Sequence, residues 1–228
     1  MKTIKGILLA FSCIHAIHSV KAQGNFQNLD FEAASLTAIP AGQFGGAVSS
    51  TAAIPGWIAF IGSNQATEIL HNNYTLGNAS IDILGPNWGV GDGIIEGRYT
   101  VVLQPGFVPF SSEIVGASIS QIGFVPAGAL SIQLKALAFS SFAVSLDGQY
   151  LSLIPLATGP NYTLYGADIS SYGGKVAELA ITALPANNTT IFVDSIAFSS
   201  LPVPEPGTLV LFGFGLFFLG LLYCRRHG

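Results

Sequence analysis

Between two apolar ends, residues 23–201 offer chemistry one histidine, His71, and no cysteine, because Cys13 and Cys224 lie in the ends. A single imidazole excludes a multi-histidine zinc site. A Ser-His-Asp triad would rest on His71 alone, and no serine stands in a nucleophile-elbow motif. In Ile69-Leu-His-Asn72 the histidine reads as an ordinary surface or edge residue at a strand end. Glycoside hydrolysis needs two opposed carboxylates. The near pairs are Asp92 with Glu96, in Gly89-Val-Gly-Asp-Gly-Ile-Ile-Glu-Gly97, and Asp30 with Glu32. Gly91-Asp-Gly93 is more simply a turn, with Gly supplying positive φ, so no catalytic residue is expected. Sugar recognition needs an aromatic platform beside directed polar groups. Trp88, in Gly85-Pro-Asn-Trp-Gly89, sits in a turn-rich loop where a large ring has little reason to be buried. Tyr74, beside Asn72 and Asn73, and Tyr162, beside Asn161, are lesser candidates, whereas Trp57 on an apolar strand reads as core.

The elements that must position these residues are strands. Runs rich in Val, Ile, Phe, Tyr and Thr are broken by Gly, Pro, Asn and Asp at roughly 8–12-residue spacing, the all-β signature. A dozen runs fit, from Asn28–Glu32 to Ile191–Phe198, and helical periodicity is nearly absent. Ser118–Phe124 and Leu130–Leu137 alternate apolar with polar, as strands with one buried face do. Asp147-Gly148 between two such runs is a hairpin signal, because a type I′ turn needs positive φ twice. The expectation is two packed antiparallel sheets.

Charge narrows the function classes. Eleven of the chain's twelve acidic residues lie in this body, against three basic ones, Arg98, Lys135 and Lys175. Phosphate neutralisation dominates nucleic-acid affinity, so nucleic acid is excluded as a partner. Without cysteine there is no disulfide, and stability must come from the apolar core.

The ends are addresses. Lys2 and Lys5, the apolar Gly6–Ile17 and Val20-Lys-Ala22 read as a signal peptide over residues 1–22. At the other end come Val203-Pro-Glu-Pro-Gly207, an uncharged run over 207–223, and Arg225 and Arg226. As a transmembrane helix that run would reach about 25 Å, a little short of the ~30 Å hydrocarbon core. The arginines place the C-terminus in the cytoplasm and the body outside. Pro204, Glu205, Pro206, the helix, Arg225 and Arg226 together resemble the PEP-CTERM sorting signal of Gram-negative bacteria that make exopolysaccharide. The resemblance implies an exosortase as processing partner and a destination at the cell surface or in the extracellular matrix. Residues 202–228 form this signal, and Pro202–Pro206 reads as a stiff spacer.

Asn28-Leu-Asp-Phe-Glu32, Pro55-Gly-Trp57 and Phe192-Val-Asp-Ser-Ile-Ala-Phe198 are similar to the jelly-roll pattern of galactose-binding-like carbohydrate modules. That resemblance implies a jelly-roll β-sandwich over 23–201. It also implies a structural Ca²⁺ shared by Glu32 and Asp194, since calcium accepts carboxylate and carbonyl oxygens. The expected function is non-catalytic: an exported surface protein with weak association to exopolysaccharide. A purely structural or adhesive matrix role is the alternative, and a glycoside hydrolase comes third.

Overall fold

The alternation read from the sequence becomes two faces. In Val176–Ala183 the side chains of Ala177, Leu179, Ile181 and Ala183 are buried, while Val176 and Glu178 are exposed. Ser131–Ala138 likewise buries Ile132, Leu134 and Ala136. These strands belong to a computed structural model that describes residues 24–73, 75–89 and 93–203. The signal peptide 1–22, the span 207–223 and the sorting residues Pro204, Glu205, Pro206, Arg225 and Arg226 lie outside the described residues. Among the described residues no helix is long and apolar enough to cross a membrane.

In chain order the first strands are β1 (Ala47–Ser49), β2 (Ile58–Ile61), β3 (Asn64–Ala66), β4 (Glu68–His71) and β5 (Ser80–Leu84). Next come β6 (Thr100–Gln104), β7 (Gly106–Phe107), β8 (Ile114–Val115), β9 (Ala117–Phe124) and β10 (Ser131–Ala138). The last are β11 (Phe142–Leu146), β12 (Gln149–Tyr150), β13 (Ile154–Thr158), β14 (Thr163–Asp168), β15 (Val176–Ala183) and β16 (Ile191–Ser199). Eight of them form one sheet, in the order β1-β4-β5-β6-β16-β10-β14-β13. Six form the other, β12-β11-β15-β9-β2-β3, and β7 pairs with β8 apart from both. The two sheets enclose one apolar core that includes Ile83, Leu103, Ile119, Leu134, Leu179 and Val193. This is the expected jelly-roll sandwich.

Three local readings need correction. The sheets are not wholly antiparallel, because β4 and β5 pair in parallel, with Leu70 opposite Asp82 and His71 opposite Ile83. The Asn28–Glu32 run is a turn rather than a strand, with Asn28 at φ 50° and Phe31 at φ 58°. Its apolar alternation served a different end. Phe31 is fully buried against the Trp57 ring, centroids 5.7 Å apart, and the Trp57 indole N–H donates to the Asn28 carbonyl at 3.0 Å. The Asn28 amide donates to the Pro55 carbonyl at 3.1 Å. Two of the three motifs that carried the resemblance are thus one packed lock. Phe31→Ala is expected to cost about 3–5 kcal/mol of unfolding free energy, read from urea midpoints, because a buried aromatic leaves a cavity. Third, the spacer read over Pro202–Pro206 does not begin clear of the body, and its residues 204–206 lie outside the described residues. Buried Ser131 donates its hydroxyl to the Leu201 carbonyl at 2.7 Å, Leu130 N–H donates to Ser199 at 2.8 Å, and Pro202 and Val203 line a groove.

The Asp147-Gly148 hairpin is as expected, with φ of 51° and 74° and Leu146 opposite Gln149.

Candidate functional site

Period-two alternation also decides what reaches the outer face of the eight-stranded sheet. On β5, Ile81 and Ile83 enter the core, which turns Ser80, Asp82 and Leu84 outward. On β6, Val101 and Leu103 go inward and Thr100, Val102 and Gln104 outward. On β16, Phe192 and Asp194 take the outer face beside core Ile191 and Val193. Register places Asp82, Val102 and Phe192 in one row across three strands. Yet every residue of β5 and β6 is buried, so this outer face is covered as well.

The cover is made of loops, and between loops and sheet lies a cavity of about 310 Å³. Its floor is the Asp82, Val102 and Phe192 row, and its walls include Thr75–Gly77, Trp88 and Asn188–Thr190. Gln104 holds one wall, donating from Nε2 to the Thr75 carbonyl at 2.9 Å and to the Asn78 carbonyl at 3.1 Å. Trp88 is half-buried, and its ring meets Phe44 edge-on with centroids 6.3 Å apart. Asp82 is 2 % exposed; its Oδ2 accepts the Asn73 N–H at 3.0 Å, while its buried Oδ1 has no hydrogen-bond partner. Thr189 Oγ1, on the opposite wall, is buried and without a partner too. Burial pushes the Asp82 carboxyl up to about 8, because a charge in an apolar setting is costly. The site therefore carries a neutral carboxylic acid at pH 7.

A second polar group lies further along the same face. Asp194, 1 % exposed, accepts the Thr100 hydroxyl at 2.6 Å and the Glu96 N–H at 3.2 Å on Oδ2, and the Ser195 N–H at 2.7 Å on Oδ1. Ser195 at φ 47° makes a bulge in β16 opposite Gln133–Lys135, the device that lets neighbouring Asp194 and Ser195 both serve this group. Glu96 binds the Lys135 ammonium at 2.6 Å and accepts the Ser195 hydroxyl, and that ammonium lies 5.1 Å from the Tyr162 ring centroid. Glu32 Oε1 accepts the N–H groups of Arg98 at 2.7 Å and Tyr99 at 3.0 Å. A Cβ on Gly97, at φ 63°, would stand 2.3 Å from that oxygen, so the clamp requires glycine there. Burial raises the Asp194 carboxyl to about 6, with a smaller push from the Glu32 charge.

Glu32 and Asp194 are thus brought to one segment, residues 96–100, which both hold by accepting its donors. Three of their four oxygens accept N–H or O–H groups of the protein. Among the described residues no group of three or more His, Cys, Asp and Glu side chains is placed to hold a metal ion. The donor set does not by itself make the six to eight oxygens calcium takes. Glu32→Ala is expected to leave two N–H groups without acceptors and to lower stability by about 1–3 kcal/mol in urea unfolding. An unchanged midpoint would mean that the clamp holds nothing.

The remaining candidates separate. Trp88 lines the cavity, Tyr162 does not, and Tyr74 and Asp92 lie outside the described residues. His71 is no surface residue. It is 3 % exposed on the core side of β4, in line with Ile69 and opposite Ile83, its Nε2 has no partner, and burial lowers its pKa. Asp82 and Thr189 escaped the sequence reading. The available signal was an aspartate in the middle of Ser80-Ile-Asp-Ile-Leu84, an apolar strand where an unneutralised carboxylate has no place.

Residues 202–226 match the model of the PEP-CTERM protein-sorting motif, so the chain carries that motif where its Pro-Glu-Pro and paired arginines stand. No curated protein matches the chain. Among solved structures, that of TmCBM61 in complex with beta-1,4-galactotriose aligns with 78 % of this chain and 99 % of its own. The identity is 12 % and the TM-score 0.43. Motif and strand pairing define the class: a β-sandwich protein bearing a C-terminal sorting signal, consistent with export and membrane anchoring before processing.

Proposed function

We propose that this chain is an exported cell-surface or matrix protein, processed by an exosortase at its sorting motif, whose sandwich is a non-catalytic glycan-binding module. The observation that carries the binding role is the cavity at Trp88, where an indole and apolar walls stand beside two buried oxygens that lack partners. Sugars offer C–H faces to rings and hydroxyls to such oxygens. The sorting motif supports the address, and the scarcity of cations in the body supports uncharged partners over anionic ones. Of the carboxylates weighed for hydrolysis, Glu96 is engaged by the Lys135 ammonium and the Ser195 hydroxyl and Glu32 by the N–H groups of Arg98 and Tyr99, which speaks against either as an acid or base. Exopolysaccharide of the producing cell is the ligand this location favours.

The test is glycan-array binding by the full chain in lipid nanodiscs, with calcium and with chelator. Selective binding supports the module, and its loss in chelator would give Glu32 and Asp194 a calcium role. A folded chain that binds nothing on the array returns the protein to a structural or adhesive matrix role.

A further inference from the structure

We infer that the cavity over Asp82, Val102 and Phe192 selects a neutral sugar unit bearing one compact apolar substituent, an acetyl or a 6-deoxy methyl group, and rejects uronic acids. The inference rests on the cavity being the glycan site and goes beyond it by naming the sugar class. Size comes first. At about 310 Å³ the cavity is at the small end for ligand sites, which suits a single unit rather than an extended chain. Its walls come next. Leu84, Val102, Phe192 and Trp88 surround it with hydrocarbon, more than the hydroxyl-covered rim of an unmodified hexose can use. A methyl group buried there gains contacts that a hydroxyl would forfeit by losing water.

Charge and hydrogen bonding then fix the rest. No Lys, Arg or His lines the cavity, so a uronate carboxylate would enter apolar walls without a counter-ion. Asp82 and Thr189 both line the space, and Asp82 Oδ1 and Thr189 Oγ1 are buried with no partner. Native structures rarely leave such groups unsatisfied, and a ligand carbonyl or ring oxygen would satisfy them. With the Asp82 carboxyl pushed up to about 8 by burial, it carries a proton to donate to that oxygen at neutral pH.

The experiment is calorimetric titration of the full chain in nanodiscs with methyl glycosides of rhamnose, N-acetylglucosamine, glucose and glucuronate. The rhamnoside or the N-acetylglucosaminide should bind at least tenfold more tightly than the glucoside, in line with the worth of one methyl in an apolar pocket. The glucuronide should show no heat. Leu76→Arg sets a cation at the rim on a residue that is 97 % exposed, and should bring glucuronide binding into range without disturbing the core. Equal binding of glucoside and substituted sugars, or glucuronide binding by the unaltered chain, would overturn the inference while leaving a glycan site in place. Silence toward all four glycosides by a chain that binds polysaccharide on the array would also overturn it. Silence toward every glycan removes the glycan reading itself, and this inference with it.

Discussion

Asp82→Asn is expected to stabilise the protein at pH 8 and above, and to flatten its stability between pH 4 and 8. The carboxyl titrates near 3.8 when free and is pushed up to about 8 in the fold. Between those values the folded chain keeps a proton that the unfolded chain has released. Stability is therefore fully present below the unfolded value and is lost as pH rises toward 8. One pKa unit corresponds to about 1.4 kcal/mol, and relaxation around the ion will absorb part of the total, leaving on the order of 2–4 kcal/mol. The cause is burial, opposed by the N–H groups of Asn73 and Ile83, with no neighbouring charge involved. An asparagine keeps the shape and the acceptor for Asn73 while removing the charge. Asp194, raised to about 6, acts in the same sense and leaves a residual slope below pH 6 in the variant. His71 works at the acid side, because its lowered pKa means that the unfolded chain takes up a proton the fold refuses. Its contribution is present above about 6.5 and fades as pH falls below that. Urea midpoints of both chains at pH 5, 7 and 9 check the matter. Parallel profiles would show that the Asp82 carboxyl is solvated in solution.

Trp88→Ala should lower glycan affinity by about ten- to a hundredfold while costing about 1 kcal/mol of stability. The two effects part because of where the ring sits. It is half-buried on a loop, meets edge-on the ring of Phe44, itself 61 % exposed, and is not part of the buried core cluster. In the cavity, by contrast, it is the one large aromatic wall contributed by a loop, and truncated aromatic anchors commonly cost 1–3 kcal/mol of binding. Trp88→Phe should recover part of the affinity. If affinity survives the alanine change while the fold is intact, the glycan face lies elsewhere on the sandwich.

Sequence periodicity reached far into this fold because most strands bury one face only. β10 alternates in the chain as it does in the structure, whereas β9 buries Ser120 and Gln121 and exposes Ile122 against its alternation, and Asp147-Gly148 marked its hairpin by backbone chemistry alone. The failures share a cause. Asn28–Glu32 has the composition of a strand, but its two positive φ angles are imposed by Phe31 docking on Trp57, a contact between distant residues. The parallel β4–β5 pair is a matter of how two separate strands meet, which no local pattern encodes. The candidate site divides in the same way. Trp88 was legible from its turn-rich setting. Asp82 became a buried polar group only when loops closed over the second face of the sheet, and His71 only when its strand turned it to the side of Ile69 and Ile83; neither outcome is written in the local residues.

The hydrogen bond from Ser131 to Leu201 also has a mechanical meaning. Among the described residues the last hydrogen bond that ties the chain to the body is made at Leu201, upstream of Pro204, so a cut at or beyond that residue leaves it in place. While the tail is anchored, tension enters the body along β16, which runs in the middle of its sheet between β6 and β10. The same strand carries Phe192 on the cavity floor. A load between membrane and a ligand held there would pass down one central strand, shearing many backbone hydrogen bonds together instead of peeling an edge strand one bond at a time.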